Sequence, residues 1–388
     1  MSFDYPDQNF VPFDPLLIEF CESLSKRLFK EPLLKHSPDV AALAYWLRRA
    51  HMEELSKAFN SFKRPNELRT PRGLVFHIAP ANVEVMFVYS WILSHLTGNA
   101  NIVRLPTRQS EGLDLLLKAI NENLAAFPLI QKSTRLISYG HEKEKTQEIS
   151  LRADVRVLWG GDATVELLRQ IPIKIDGKEL VFPDRFAWSA IYAKQFIELK
   201  SQDQAKVVAD FYNDVFWYDQ SACSSPRVLL WVGQEKDQQA AGSIFYPALQ
   251  NFIEKKGYEL PVSLVIKKET AIYSQAVHLD ESGIQRFSNE LTVIPLTSYS
   301  ESMKNHPGLG LLYVLNLSLL SEMKGYLTSK DQTLTYFGFT HEEILLFAKE
   351  LNGKGLYRMV PLGKALSFDY IWDGYDLLQE FTRVISIQ

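Results

Sequence analysis

The chain has 388 residues, of which 46% are hydrophobic and 23% charged, and its formal net charge is −4 at pH 7. Such fractions are ordinary for a globular protein, and the absence of a dense Lys/Arg block argues against nucleic-acid binding. The polar start MSFDYPDQNF is unlike a signal peptide, and the longest apolar stretches are too short for a membrane span. Two cysteines cannot form a disulfide framework, so the sequence predicts a cytoplasmic protein.

The first 70 residues predict a helical segment. Apolar residues recur at helical spacing over Pro15–Lys30, and Cys21 is expected to pack against neighbouring helices. Ser37 and Pro38 are typical of a helix start. The apolar stripe of that second helix is Val40, Leu43, Ala44, Leu47 and Ala50.

From residue 72, continuous apolar runs alternate with helical patterns. Strands are predicted at 73–80, 101–106, 134–140, 155–161, 186–193, 227–233, 291–296 and 310–316, with helices at 84–96, 110–126, 142–150, 163–170, 202–216 and 237–256. A further helix is expected to end the closing segment IWDGYDLLQEFTRVIS. This alternation predicts an α/β fold of parallel strands covered on both faces, with ligands at the carboxyl ends of the strands.

Cys223 lies in DQSACSSPRVLLW, among small residues just before a strand. A buried cysteine is a small hydrophobe, whereas an accessible thiolate is a nucleophile. With no histidine nearby in sequence, the pattern alone favours a structural cysteine and leaves a nucleophile as the alternative.

Three other positions admit a functional interpretation beside a structural one. Asn82 follows the first parallel strand, where its amide suits an oxyanion or a helix N-cap. Arg104 ends the next strand, where a cation suits a ribose phosphate or simply faces water. Gly160 and Gly161 precede a helix and could admit a pyrophosphate, although Asp162, expected as the helix N-cap, would repel phosphate.

No metal site is predicted, because neither HExxH nor CxxC spacing occurs. The P-loop pattern GxxxxGK[ST] is also absent. His77 lies within an apolar strand and is expected to be a hydrogen-bonded core histidine.

The order of these motifs resembles the aldehyde dehydrogenase superfamily and, within it, the acyl-CoA reductase family typified by the fatty-acid reductase of bacterial luminescence. The likeness runs over residues 70–388. It is carried by GLVFHIAPANVEV (73–85), LTGNANIVRLP (96–106), VLWGGDATVELLRQIP (157–172), DRFAWSAIY (184–192), DQSACSSPRVLLW (219–231), NELTVIPL (289–296) and the YRMVPLG…WDGYD tail (357–376).

The resemblance implies roles for individual residues. Cys223 matches the nucleophile and Asn82 the oxyanion asparagine. Arg104 and Thr107 match positions that meet the adenosine ribose, Gly161 with Gly160 matches the pyrophosphate turn, and Glu290 matches the glutamate that holds the nicotinamide ribose. The usual Phe-Gly-Pro after that glutamate is replaced here by Leu-Thr-Val.

One departure bears on the reaction. Aldehyde-oxidising members have a Glu-Leu-Gly-Gly segment whose glutamate activates water, and the equivalent stretch here, ELVFPDRFAW, lacks Gly-Gly. Glu179 and Asp184 are near in sequence and leave a shifted base open. The resemblance therefore implies reduction of a fatty acyl thioester, such as a long-chain acyl-CoA or an acyl-protein, to the aldehyde with NADPH.

The competing hypotheses are an aldehyde dehydrogenase that forms acid, a thioester hydrolase, and a non-catalytic acyl-binding subunit. The expected domains are a helical segment (1–70), a cofactor domain of Rossmann type (71–195), a catalytic domain (196–365) and a returning tail (366–388). The resemblance also implies a homo-oligomer and an acyl-transferring or acyl-activating partner protein.

Overall fold

The computed structural model describes residues 5–6, 9–31, 37–62, 64–79, 85–105, 110–140, 142–274 and 283–388. The chain divides into two compact units. Unit 1 comprises Met1–Asp184 and Phe368–Gln388, and unit 2 comprises Arg185–Ser367.

The first part of unit 1 contains eight helices and six strands among its described residues. The helices are α1 (Pro15–Lys30), α2 (Pro38–Trp46), α3 (Arg49–Ser61), α4 (Met86–Leu96), α5 (Glu111–Ala126), α6 (Pro128–Lys132), α7 (Lys143–Ser150) and α8 (Asp162–Arg169). The strands are β1 (Glu67–Pro71), β2 (Leu74–Ile78), β3 (Ala100–Arg104), β4 (Thr134–Ile137), β5 (Val155–Trp159) and β6 (Lys178–Phe182).

The helix α1 has the predicted bounds, whereas the second predicted helix is interrupted. The Asp14 carboxylate caps α1 by accepting from the Leu16 amide. The helix α2 ends at Trp46, α3 begins at Arg49, and Ser37 makes no side-chain capping bond. The apolar stripe to Ala50 therefore runs across two helices.

Strands β2 to β6 form a parallel sheet in the order β4-β3-β2-β5-β6. The chain leaves β2 toward β3 on one side and returns to β5 on the other. A crevice at the carboxyl ends of parallel strands is expected where the strand order reverses in this way. The carboxyl ends of β2 and β5 therefore border the predicted ligand position of unit 1.

Unit 2 is built around a seven-stranded sheet in the order β13-β12-β7-β8-β11-β10-β9, parallel except for β9. Its strands are β7 (Phe186–Tyr192), β8 (Pro226–Val232), β9 (Gln285–Arg286), β10 (Thr292–Leu296), β11 (Leu311–Leu317), β12 (Asp331–Phe337) and β13 (Arg358–Pro361). Its helices are α9 (Ala193–Ile197), α10 (Ser201–Val215), α11 (Glu235–Lys256), α12 (Val262–Ser274) and α13 (His341–Leu351).

The strand β8 shows why the central run of unit 2 is continuously apolar. Val228 and Leu230 pack in one core cluster, while Leu229 and Trp231 pack in another on the opposite face. Successive side chains of a strand point to opposite faces, so both faces of this sheet are covered. The predicted doubly covered parallel arrangement is confirmed.

The closing segment returns to unit 1 and corrects the expected C-terminal helix. It contains β14 (Ile371–Trp372), β15 (Tyr375–Asp376), the short helix α14 (Leu377–Glu380) and β16 (Thr382–Ser386). Strand β16 pairs antiparallel with β1. Its β-branched residues Thr382, Val384 and Ile385 suit an extended chain, and the partner strand lies too far away in sequence for a local pattern to indicate it.

In the part of the chain that the structure describes, no helix combines the length and apolar character needed to cross a membrane.

Candidate active site

Cys223 lies in the short loop that enters β8 at the amino-terminal edge of the unit 2 sheet. It is a thiol of intermediate exposure, while Ala222, Ser224 and Ser225 beside it are buried. The amide of Ser225 donates to the carbonyl of Ala222 over 3.0 Å, which closes a tight turn around the cysteine. The loop therefore presents the sulfur while its neighbours are held by the protein.

Glu290 precedes β10 at the same edge of the same sheet. Strand β11 alone separates β8 from β10, so the strands that follow Cys223 and Glu290 lie about 10 Å apart. A Glu290 carboxylate oxygen accepts from the Leu260 amide over 3.3 Å. The structure thus brings two predicted site residues to one edge.

The predicted cofactor residues of unit 1 lie at the carboxyl ends of parallel strands, whereas Cys223 and Glu290 precede the strands of their own sheet. Arg104 ends β3, its guanidinium carbon lies 4.6 Å from the centre of the Tyr139 ring, and it donates to the Gly140 carbonyl. Tyr139 and Gly140 follow β4, the neighbour of β3. Stacking on an aromatic face fixes the plane of the guanidinium and leaves its edge as a donor.

Gly160 and Gly161 follow β5, and Gly161 is the N-cap of α8. A Cβ at Gly161 would meet nothing within 4 Å, so the backbone there is open to a close approach. The expected N-cap Asp162 is instead the first residue of α8, because its carboxylate accepts from the Asp184 amide over 3.1 Å. Asp162 is therefore turned to the neighbouring loop rather than to its own helix end.

Two predicted residues, Asn82 and Thr107, lie outside the described residues. Their roles stay predictions. The ends of the strands that lead to them are described, since β2 ends at Ile78 and β3 at Arg104.

The expected core histidine and packing cysteine are both confirmed. His77 is fully buried, with Nδ1 2.8 Å from the Ser90 hydroxyl and Nε2 3.0 Å from the Asn101 side-chain oxygen. Burial lowers the pKa of His77 to about 4, so it is neutral at pH 7. Cys21 is fully buried in α1, and burial raises the pKa of its thiol.

Glu179, one of the two carboxylates left open as a replacement for the missing hydrolytic glutamate, forms ion pairs within unit 1. Glu179 lies on β6 in unit 1, where one carboxylate oxygen accepts from Arg156 Nε over 2.8 Å and the other from Arg169 Nε over 3.1 Å. Arg156 is buried, and its guanidinium also donates to the Ile171 carbonyl. Two cations hold this carboxylate as an ion-pair partner rather than as a base.

Three further residues support the site and were not identified from sequence. Gln220 is fully buried beneath the Cys223 loop, and Tyr139 stacks on Arg104. Lys268 is fully buried on α12, donates to the Asn289 carbonyl, and has its pKa lowered to about 8 by burial. Only Tyr139 had a signal in the sequence, since it lies at the carboxyl end of a predicted strand.

The fold places the chain in a known structural class. Staphylococcus aureus AldH in a substrate-bound state aligns with a TM-score of 0.64 at 15% identity, covering 98% of this chain and 91% of that one. The glyceraldehyde-3-phosphate dehydrogenase GapN of Methanocaldococcus jannaschii, solved with NADP, aligns with a TM-score of 0.63 at 14% identity, covering 96% and 88%. The architecture is that of the aldehyde dehydrogenases.

Sequence comparison narrows the class to one family. A model of the acyl-CoA reductase (LuxC) family matches residues 47–384. The chain therefore belongs to the acyl-CoA reductase (LuxC) family. It is 24% identical over 330 residues to the long-chain acyl-protein thioester reductase of Aliivibrio fischeri, and the match covers 81% of this chain and 64% of that relative's length.

Proposed function

We propose that the chain reduces fatty acyl thioesters to aldehydes with NADPH, through an acyl group carried on Cys223. The observation that carries the proposal is a partly exposed thiol in a tightly turned loop, two strands from Glu290, in a member of the acyl-CoA reductase family. The name of the Aliivibrio fischeri relative supports an acyl-protein as donor, and the family description supports an acyl-CoA.

In the proposed acylation, the Cys223 thiolate attacks the carbonyl carbon of the thioester. A carbon–sulfur bond forms, the carbonyl electrons move to oxygen, and the donor's thiolate leaves when the carbonyl is restored. The side-chain amide of Asn82 and a backbone amide of the Cys223 loop are proposed to donate to that oxygen. Removal of one such donor costs about 10²- to 10³-fold in rate.

NADPH, when bound, supplies the hydride that converts the thioacyl group to the aldehyde. The residues proposed to hold it are Arg104 and Thr107 at the adenosine ribose, Gly160 and Gly161 at the pyrophosphate, and Glu290 at the nicotinamide ribose. The open space over Gly161 and the stacked guanidinium of Arg104 fit this group. A guanidinium can bind a phosphate through two parallel hydrogen bonds, which favours NADPH over NADH.

The ion pairs of Glu179 favour this reaction over oxidation to the acid. An aldehyde-oxidising enzyme needs a base to activate water against the thioacyl group, and Glu179 is paired with two arginines. A thioacyl group that water does not attack persists until it is reduced or exchanged with another thiol.

Labelling with a radioactive long-chain acyl-CoA tests the nucleophile. Cys223→Ala is expected to abolish acyl-enzyme formation and leave NADPH binding unchanged, while the matched control Cys21→Ala keeps both. Acylation of the Cys223→Ala protein would contradict the proposal. A parallel assay with an acylated carrier protein distinguishes the two donors by their kcat/KM values.

Nucleotide titration tests the phosphate contact. A hydrogen bond to a charged group contributes about 1.5–3 kcal/mol, so Arg104→Ala should weaken NADPH about 10- to 100-fold and NADH much less. Arg135→Ala, a change on the neighbouring strand β4, is the control. Equal losses for the two nucleotides would contradict the role of Arg104.

A further inference from the structure

The turn before the Cys223 loop has an uncommon backbone. Tyr218, Asp219 and Gln220 have φ values of 55°, 52° and 62°. Three consecutive non-glycine residues in the left-handed region are strained, and such strain persists only where the surrounding structure holds it. Contacts with the surrounding structure must therefore hold this turn.

The Gln220 side chain supplies the main restraint. Its Nε2 donates to the Pro226 carbonyl over 2.8 Å and to the Leu311 carbonyl over 3.0 Å, while its Oε1 accepts from the Gly310 amide over 3.0 Å. The side chain is fully buried, so all three bonds are shielded from water. All three partners are satisfied only when the carboxamide points Nε2 toward the two carbonyls and Oε1 toward the amide.

These bonds join the two ends of the loop that carries Cys223 (residues 221–225). Gln220 and Pro226 flank residues 221–225, so the bond between them ties the two ends of the segment that carries Cys223. The bonds to Gly310 and Leu311 fix the Gln220 end of that loop to the start of β11, the strand between β8 and β10. Gly310 in turn accepts from the Thr292 amide and lies so close to the Glu290 carbonyl that a Cβ would be 1.7 Å from it.

Two further hydrogen bonds hold Asp219, the middle residue of the same turn. The Tyr258 hydroxyl donates to the Asp219 carboxylate over 2.8 Å, and the Leu309 amide donates to the Asp219 carbonyl over 2.9 Å. The middle and the last residue of the left-handed turn, Asp219 and Gln220, are therefore both held by other parts of unit 2.

We infer that Gln220 is a positioning residue, whose buried carboxamide holds the left-handed turn and thereby sets the orientation of Cys223 for attack on the acyl carbonyl. The inference rests on the proposed function. Misplacing a reacting group by about 1 Å can cost about 10²-fold in rate.

The chain contains a matched control for the loss of this amide. Gln238 is also buried, and its Nε2 donates to the carbonyls of Trp231, Gly233 and Leu317, at the carboxyl ends of β8 and β11. Gln238 thus fastens the same two strands at the edge opposite Cys223. Gln220→Met and Gln238→Met each remove a buried carboxamide with three backbone partners, and the two positions lie at opposite edges of the sheet.

The test measures the single-turnover rate of acylation by acyl-CoA, the pH profile of alkylation by iodoacetamide, and the melting temperature. Both variants should lower the melting temperature by similar amounts. Gln220→Met should slow acylation about 10- to 100-fold and move the midpoint of the alkylation profile, because the amides around the thiolate are displaced. Gln238→Met should keep the wild-type rate and midpoint.

Equal acylation rates and equal alkylation midpoints in the two variants would overturn the inference while leaving the proposed function intact. A wild-type protein that is not acylated would contradict the proposed function, and the alkylation profiles would then decide separately whether Gln220 controls Cys223.

If Gln220→Met does not fold, two tyrosine variants provide the test of the held turn instead. Tyr258→Phe removes the hydroxyl that holds Asp219, and Tyr246→Phe removes the hydroxyl that accepts from Trp231 Nε1. Slower acylation in Tyr258→Phe alone would support a held turn, and equal rates in both would overturn it.

Discussion

The buried ion pair at the start of β12 allows a quantitative test of what stabilises unit 2. Lys304 Nζ lies 2.7 Å from Asp331 Oδ2, and their side chains are 7% and 0% exposed. The Asp331 carboxylate also accepts from Trp188 Nε1 over 2.7 Å and from the Thr328 amide over 2.6 Å. The carboxylate therefore has these neutral donors besides the lysine, whereas the ammonium has one neutral partner, the Thr328 hydroxyl, and the carboxylate is its one charged partner among the described residues.

This asymmetry predicts unequal costs for the two halves of the pair. Asp331→Ala leaves a buried ammonium uncompensated and should lower the free energy of unfolding by about 3–5 kcal/mol. Lys304→Met leaves a carboxylate that keeps its neutral donors, and should cost about 1–3 kcal/mol. Urea denaturation followed by circular dichroism gives both values, and the double variant gives the coupling between them.

An exposed pair of the same length serves as the control. Arg27 and Glu122 are also 2.7 Å apart, with side chains 36% and 48% exposed. Glu122→Ala should cost about 0–1 kcal/mol, because solvent screens surface pairs. The reasoning is refuted if Lys304→Met costs as much as Asp331→Ala, or if Glu122→Ala costs as much as either.

Three further predictions concern His95, Glu179 and the two cysteines. Burial lowers the pKa of His95 to about 3. Between about pH 6.5 and 3 the unfolded chain therefore binds one proton more than the folded chain, and the free energy of unfolding falls as pH falls. His95→Phe should reduce the dependence of the free energy of unfolding on pH by up to about 1.4 kcal/mol per pH unit, as measured by urea denaturation at several pH values. Glu179→Gln should lower the free energy of unfolding without changing the hydrolysis rate of the acyl-enzyme, and slower loss of the acyl label, the result expected when a base is removed, would contradict its structural role. Iodoacetamide should modify Cys223 in the native protein and Cys21 only after unfolding, and mass spectrometry of the digested protein locates the label.

The sequence pattern predicted those elements whose buried positions are mostly apolar. Strand β8 and helix α1 were recognised because hydrophobic residues occupy most of their buried positions at the period of the element. Strand β12 was missed, because four of its buried positions carry polar side chains. Those positions are Asp331, Gln332, Thr333 and Thr335.

The sequence suggests individual candidate residues for the site but not their arrangement. The nearness of Cys223 and Glu290 depends on β11 lying between β8 and β10, and this strand order cannot be read from local patterns. The buried role of Gln220 was likewise hidden, because its three partners are backbone groups whose positions follow from the sheet.

The two units present their predicted residues at opposite ends of their strands, and this difference explains the strained turn. Arg104 is the last residue of a strand and Gly161 lies between a strand and the helix that it caps, so regular elements fix their backbone. Cys223 precedes a strand, in a loop whose conformation the sheet fixes on one side only. The other side needs restraints of its own, and the bonds from Gln220 to Pro226 and Leu311 supply them. The proposed nucleophile, which precedes a strand, therefore has its loop held by a buried side chain as well as by the sheet.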